Sequence, residues 1–319
     1  MAHDRIAWSV IVSDRVWLAS YPGSGNTWLR ILIGALSLKE GAALDINRLP
    51  KNGGIASGRP PFDQSTLIDS GLLTHDEIDA LRPYVYEDLV GKQRPVTPNG
   101  TGNSRQVTFA KVHDAYTLTP LGEPLLGGRR GAKAALLIVR DPRDVAPSLA
   151  NHNRSTIDEA IGYMNDSSVA LCGRVDRRYD QFRQKLTSWH GHSASWLDQR
   201  DIPVHVVRYE DMKRDTVGTI LAAMDFVGWK VTKGAAERAV ALARFDNLQA
   251  QENSAGFSEW RDRSGRKFFR RGEAGAWRDT LTPEQVQRLE AAHAPMMTRL
   301  GYALSASGFA VREEADGRS

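Results

Sequence analysis

The sequence predicts an α/β fold: a single domain with a central, mainly parallel β-sheet flanked by helices, of the P-loop nucleotide-binding type. Three observations carry this expectation. Four short apolar runs recur along the chain, each followed by a polar or helical stretch, and strands that alternate with helices pair in parallel. The first run passes through a Gly/Ser turn straight into an apolar helix. No clear linker divides the 319 residues, a length that one large α/β domain accommodates.

The elements follow in order. "RVWLASY" (15–21) reads as a buried strand and "NTWLRILIGALSL" (26–38) as a helix apolar on nearly all sides. The stretch 40–105, rich in Gly, Pro, Asn and Ser, reads as an insertion with one helix at 74–90 and a long loop at 91–106. "QVTFAKVH" (106–113), "KAALLIVR" (133–140) and "IPVHVVRYE" (202–210) are the second, third and fourth strands. Asp141 and Pro142 supply an N-cap and a first-turn proline for "RDVAPSLANH", which Pro147 is expected to kink or shorten. A second insertion covers 150–175, and the arginine-rich 151–200 segment reads as helical, above all at 176–199. Thr282, Pro283 and Gln285 open a last helix with a capping-box pattern. The core is expected at 15–300, with a loose tail from about 311 to 319.

Composition narrows the function classes. Lys and Arg exceed Asp and Glu by 42 to 38, which suits an anionic ligand without by itself indicating nucleic acid. A single cysteine, Cys172, excludes an internal disulfide and a Cys-rich zinc site and fits a reducing cytosol. The first residues do not form a convincing signal peptide, and no uncharged apolar run is long enough to span a membrane. A cytoplasmic protein is expected.

Three stretches carry chemistry. In "YPGSGNTW" (21–28) the glycines let backbone N–H groups converge on an anion at a helix N-terminus, while Ser24, Asn26 and Thr27 add side-chain donors. A tight strand-to-helix turn explains the same residues equally well. The nucleoside-triphosphate pattern, with its Lys and Mg²⁺-binding hydroxyl, is not met, which argues against kinase or ATPase chemistry. Next, Arg140 ends a strand and Ser148 follows eight residues later, a guanidinium and a hydroxyl suited to a phosphate. The competing reading is an ion pair at the helix start, Arg140–Asp144 or Asp141–Arg143. Finally, "RSGRKFFRRGEAGAWRD" (263–279) sets six cationic groups among Gly and aromatics. It reads as a solvated basic loop, a loop closing over a polyanion, or, more weakly, a single-strand nucleic-acid surface.

In order and internal spacing, "YPGSGNTW", Arg140 with Ser148, and "RRGEAGAW" resemble the sulfotransferases that use 3′-phosphoadenosine 5′-phosphosulfate (PAPS). The resemblance spans 15–280. It implies that Gly23, Ser24, Gly25, Asn26 and Thr27 wrap the 5′-phosphate and that Trp28 stacks on adenine. Arg140, Ser148, Arg270, Arg271 and Gly272 would hold the 3′-phosphate, with Tyr209 and, by a looser match, Phe245 packing on adenine. For both rings ordinary core packing competes. His113 in "TFAKVHD" resembles the family's general base, whose imidazole pKa near 6.5 suits removal of a hydroxyl proton. His190 and His192 lack metal-ligand partners and read as surface residues. No metal is implied.

The chain departs from the family at Gly23, where a lysine is usual. Loss of one such donor at a developing charge costs about 10²–10³-fold in rate. Lys111, on the same strand face as His113, and Arg271 are the candidates to replace it. A PGSGNTW loop also resembles a branch associated with carbohydrate sulfation. Ala276 stands where the family commonly has an aspartate. The family's C-terminal dimerisation motif is not evident, so no oligomeric state is assigned. The reading that results is a sulfotransferase moving a sulfonate from PAPS to a hydroxyl, less readily an amine, of a small-molecule or carbohydrate acceptor. His113 acts as base, and adenosine 3′,5′-bisphosphate (PAP) leaves. The alternative is a PAP/PAPS-binding protein impaired by its missing lysine; nucleic acid is not expected as a partner.

Overall fold

The computed structural model describes residues 14–48, 54–92, 107–260 and 266–305. The chain opens with β1 (Arg15–Ser20) and α1 (Asn26–Leu36), then α2 (Arg59–Thr66), α3 (His75–Asp88), β2 (Thr108–Val112) and α4 (Gly128–Gly131). It continues with β3 (Ala134–Val139), α5 (Pro142–Asn153), α6 (Ile157–Asn165), β4 (Ala170–Leu171), β5 (Gln184–Lys185) and α7 (Trp189–Asp198). The last part holds β6 (Val204–Arg208), α8 (Tyr209–Arg214), α9 (Thr216–Phe226), α10 (Lys233–Leu242), α11 (Phe245–Ala255) and α12 (Pro283–Arg299).

Four strands form a parallel sheet in the order β2-β1-β3-β6. Every residue of β1 is buried, because helices cover both faces of a parallel sheet. Val16 and Leu18 point to the layer that includes α1, α9 and α10, whereas Trp17 and Ala19 point to that of α5, α6, α7 and α12. The chain leaves β1 toward β2 on one side and β3 on the other. Open α/β sheets place ligands at such a switch point, beyond the carboxyl ends of the strands.

All four predicted central strands are present within two residues of their expected ends. The helix expected at 74–90 is α3, with a Thr74/Glu77 capping box, and Thr282 and Gln285 cap α12 in the same way. Three expectations are corrected. The first insertion holds a second helix, α2. Pro147 neither breaks nor shortens α5, which runs through it for 12 residues; Val145, Ala146, Leu149 and Ala150 are buried around it, so packing outweighs the lost hydrogen bond. Of the helical expectation at 176–199, only α7 forms. The preceding segment is pulled into extended contacts instead. Arg59 Nε donates to Tyr179 O (2.7 Å), Phe182 N to Ser57 O (2.8 Å), and Phe182 packs edge-on against Phe62. Residues 93–106 of the expected long loop, and the tail from 306, lie outside the described residues.

Candidate active site

The turn after β1 is shaped by two left-handed glycines, Gly23 (φ 83°) and Gly25 (φ 99°). Each is also a point of close approach. A Cβ on Gly25 would lie 2.6 Å from Tyr209 Cδ2, and one on Gly23 would lie 3.3 Å from Ser148 Oγ. The turn is therefore gripped between α8 and α5. Ser24 Oγ is buried without a hydrogen-bond partner among the described residues, a costly state that an incoming anion relieves. Thr27 is half-buried one residue into α1. Asn26 differs from expectation: its Nδ2 turns inward to Leu18 O (2.8 Å) and Ser20 Oγ (3.1 Å). Of its donors, the backbone N–H is left for an anion.

Arg140, just past β3, connects three parts of the site. Its Nη1 donates to Gly23 O (3.3 Å) and its Nη2 to Glu273 O (2.9 Å), and the guanidinium lies 4.4 Å over the Tyr209 ring. Its Nε is buried with no hydrogen-bond partner among the described residues. Of the two competing ion pairs, Asp141–Arg143 forms at 2.7 Å. Asp144 instead accepts backbone hydrogen bonds from Gly275 (2.6 Å) and Trp277 (2.9 Å). That docks the C-terminal loop on α5 and brings Arg270 and Arg271 toward Arg140. Partial burial, then Arg271 and Arg140, lower the pKa of Arg270. Like charges gathered in this way favour an anion between them.

The aromatic residues assemble beside this cluster. Trp28 meets Tyr209 edge-to-face at 5.8 Å and donates its Nε1 to Ala243 O (3.0 Å). Phe245 lies where a Cβ on Gly272 would be, 2.4 Å away, so only glycine lets the loop settle there. Sequence reasoning missed Lys213, whose Nζ sits 5.3 Å over Trp28 and 5.7 Å over Phe245. Its place four residues after Tyr209, on one helical face, was the available signal.

Phe268 and Phe269 of the C-terminal loop turn toward Phe257. Phe257, Phe268 and Phe269 contact one another at 5.0–5.3 Å, and Trp260 adds to Phe268 at 5.7 Å. Trp277, half-buried, lies apart from them, with the Arg143 guanidinium at 4.1 Å and that of Arg278 at 4.5 Å from its ring.

At the end of β2, His113 Nδ1 lies 2.7 Å from the carbonyl oxygen of Ser20. A carbonyl only accepts, so Nδ1 carries the proton and Nε2 keeps a free lone pair. Burial, then the Lys111 charge, push the His113 pKa well below its ordinary value. Lys111 has its own pKa lowered to about 8, by burial first and then by Arg30, against the opposing charge of Glu259. Arg30 is bound to Glu259 through two 2.8 Å contacts, while the Lys111 ammonium has no hydrogen bond to a described residue. His192 is not a surface residue: it is buried on α7, near Tyr21, and lies with Nε2 3.1 Å from His113 O. His190 is half-buried.

Two carboxylates hold this geometry from behind: one was read in the sequence only as an ion-pair partner, and the other was not singled out. Asp144 is one. Asp114 is the other: fully buried beside His113, it receives Arg82 Nη2 at 2.6 Å and Nη1 at 3.1 Å.

A glycine-shaped turn, Arg140 with Arg270 and Arg271 near it, and a tautomer-fixed histidine lie beyond the carboxyl ends of one parallel sheet, an arrangement suited to an anionic ligand. The family model for the sulfotransferase domain matches residues 132–301, and the chain belongs to the PAPS-dependent sulfotransferase family. That match includes Arg140, Ser148 and the C-terminal loop; alignments to relatives extend it. A flavonol 3-sulfotransferase of Flaveria bidentis is 25% identical over 86% of this chain and 79% of its own. The luciferin sulfotransferase of Photinus pyralis is 25% identical over 73% of this chain and 56% of its own. A solved retinol dehydratase, in complex with androsterone and inactive cofactor PAP, shares the fold with a TM-score of 0.55. It is 21% identical, over 92% of this chain and 82% of that one. Among the described residues, no helix is long and apolar enough to cross a membrane.

Proposed function

We propose that the protein transfers the sulfonate of PAPS to a hydroxyl of a small-molecule or carbohydrate acceptor, with His113 as general base. The observation that carries this reading is the Nδ1 contact to Ser20 O, which keeps the proton on Nδ1 and leaves Nε2 with a free lone pair. Ser24, Gly25, Thr27 and the Asn26 amide hold the 5′-phosphate, and Ser24 Oγ and Arg140 Nε, which have no partner among the described residues, are suited to phosphate oxygens. Ser148, Arg270, Arg271 and Gly272 complete the 3′-phosphate site with Arg140, while Trp28, Tyr209 and Phe245 pack on adenine. His113 Nε2 takes the acceptor proton as the oxygen–sulfur bond forms. Charge then develops on the departing 5′-phosphate, and Lys111 is the cation that Gly23 cannot be. Incubation with radiolabelled PAPS and a panel of phenolic, steroid and sugar hydroxyls is expected to label at least one acceptor. Tight PAP binding with no label transferred to any of them would favour the impaired binder.

Two expected results arise directly from this geometry. First, kcat/KM reports the free enzyme's ionisations. It should fall as pH rises through about 8, where Lys111 loses its charge, and should show no acid limb near 6.5, because His113 stays neutral there. An acid limb near 6.5 in the rate profile would remove one premise. Second, Gly23→Lys should lower stability and PAP affinity without raising turnover. At φ 83° a non-glycine residue costs about 1–2 kcal/mol, and its Cβ would press on Ser148. A rise in turnover would return the charge-neutralising role to position 23.

A further inference from the structure

The C-terminal loop is held by its backbone, which leaves its arginine side chains available. On one side of Arg270 and Arg271, the buried Glu252 carboxylate accepts from Phe268 N (2.7 Å) and Phe269 N (3.0 Å). Gln249, three residues earlier on α11, donates Nε2 to Phe269 O (2.9 Å) and Arg270 O (3.0 Å). On the other side, Asp144 accepts from Gly275 and Trp277, the residues that flank Ala276 at the start of a short 3₁₀ turn. Between these two footings the segment 270–274 arches over Phe245, with Gly272 at its closest approach. Among the described residues the two guanidiniums find little else to bind: Arg271 makes one long contact, 3.4 Å to Thr280 Oγ1.

The footings are not equivalent. Glu252 lies on α11, beside the arch itself. Asp144 lies on α5, four residues before Ser148, and one helical turn separates two side chains on the same face. Ser148 is the residue that approaches Gly23. One helix face therefore fixes both the phosphate turn and the arch, and it sets the distance between them. The Asp144 carboxylate is 4% exposed, so its two hydrogen bonds to amides meet little competition from water.

We propose that Asp144 is a positioning residue for donor binding: it holds Arg270 and Arg271 in register with Arg140 and Ser148, so that the four act together on the 3′-phosphate. This rests on the PAPS reading of the site. Asp144 touches no part of the nucleotide itself. Its contribution is preorganisation, which spares the nucleotide the cost of ordering the arch.

The test is a mutant cycle read by calorimetric affinity for PAP and for adenosine 5′-phosphate, which lacks the 3′-phosphate. Wild type should prefer PAP. Asp144→Ala should weaken PAP by about 10–100-fold, the range expected when hydrogen bonds to a charged group are lost, and should weaken adenosine 5′-phosphate far less. In an Arg271→Ala background the same substitution should cost much less, because the group it positions is gone. Donor KM should rise with acceptor KM unchanged. Asp144→Asn, which retains one acceptor oxygen, should give an intermediate loss and serves if the alanine variant does not fold. Equal losses for the two nucleotides, or equal losses with and without Arg271, would overturn the proposal while leaving the reaction assignment in place. A wild type with no preference for PAP would instead overturn the 3′-phosphate assignment, and this inference with it.

Discussion

His113→Ala is expected to reduce sulfonate transfer by about 10²–10⁴-fold, the usual contribution of a positioned general base, with PAP affinity nearly unchanged. The split follows from where the ring is held. Its Nδ1 is committed to Ser20 O and its carbonyl to His192, so only Nε2 remains for chemistry. A neutral imidazole adds little to the binding of a polyanion. Single-turnover rates with saturating donor, beside calorimetric PAP affinities, separate the two quantities. Unchanged turnover would remove His113 as the base. A loss confined to PAP affinity would make it a donor-binding residue instead.

The same histidine shows what was legible in the sequence. The K-x-H pattern at the end of an apolar run placed Lys111 and His113 on one strand face; β2 carries Lys111, and His113 follows directly after its last residue. What the pattern could not contain was the tautomer, because that depends on a carbonyl 93 residues away in β1. The sheet was readable for a simple physical reason: fully buried parallel strands are continuous apolar runs, so Arg15–Ser20 and Ala134–Val139 announce themselves locally. The segment before α7 was not readable, since its conformation is set by Ser57, Arg59 and Phe62, more than a hundred positions earlier in the chain.

Asn26 is instructive in the opposite sense. Its residue type suits a phosphate loop, yet its side chain closes the hydrogen bonding at the end of β1. Residue type in a motif identifies what a group is able to do. The partner it finds decides which of those things it does. Asp144 likewise looked like half of an ion pair, and the free amides of the C-terminal loop proved the better-placed partners.

Arg82→Ala should be the most destabilising single substitution in the support of the site, by about 3–5 kcal/mol, the cost of breaking a buried ion pair from one side. The Arg82 side chain is fully buried, with Nε donating to Tyr86 Oη (2.9 Å) and Nη1 to Arg183 O (3.2 Å) as well as to Asp114. Burial opposes its charge, but Asp114, Tyr86 and Asp79 outweigh that and hold its pKa above the ordinary value. Without the guanidinium, Asp114 keeps Lys185 N (3.2 Å) as a donor and loses its only counter-charge among the described residues. Asp79 is less affected, because Arg183 and Lys185 remain beside it. Domains of ordinary stability have about 5–15 kcal/mol to lose, so denaturant midpoints should move sharply. Arg82→Met combined with Asp114→Leu should recover much of the loss, since removing both charges leaves no uncompensated group. If Arg82→Ala costs under about 1 kcal/mol, water must reach Asp114 in the folded protein, and the rigid support inferred behind His113 would fall with it.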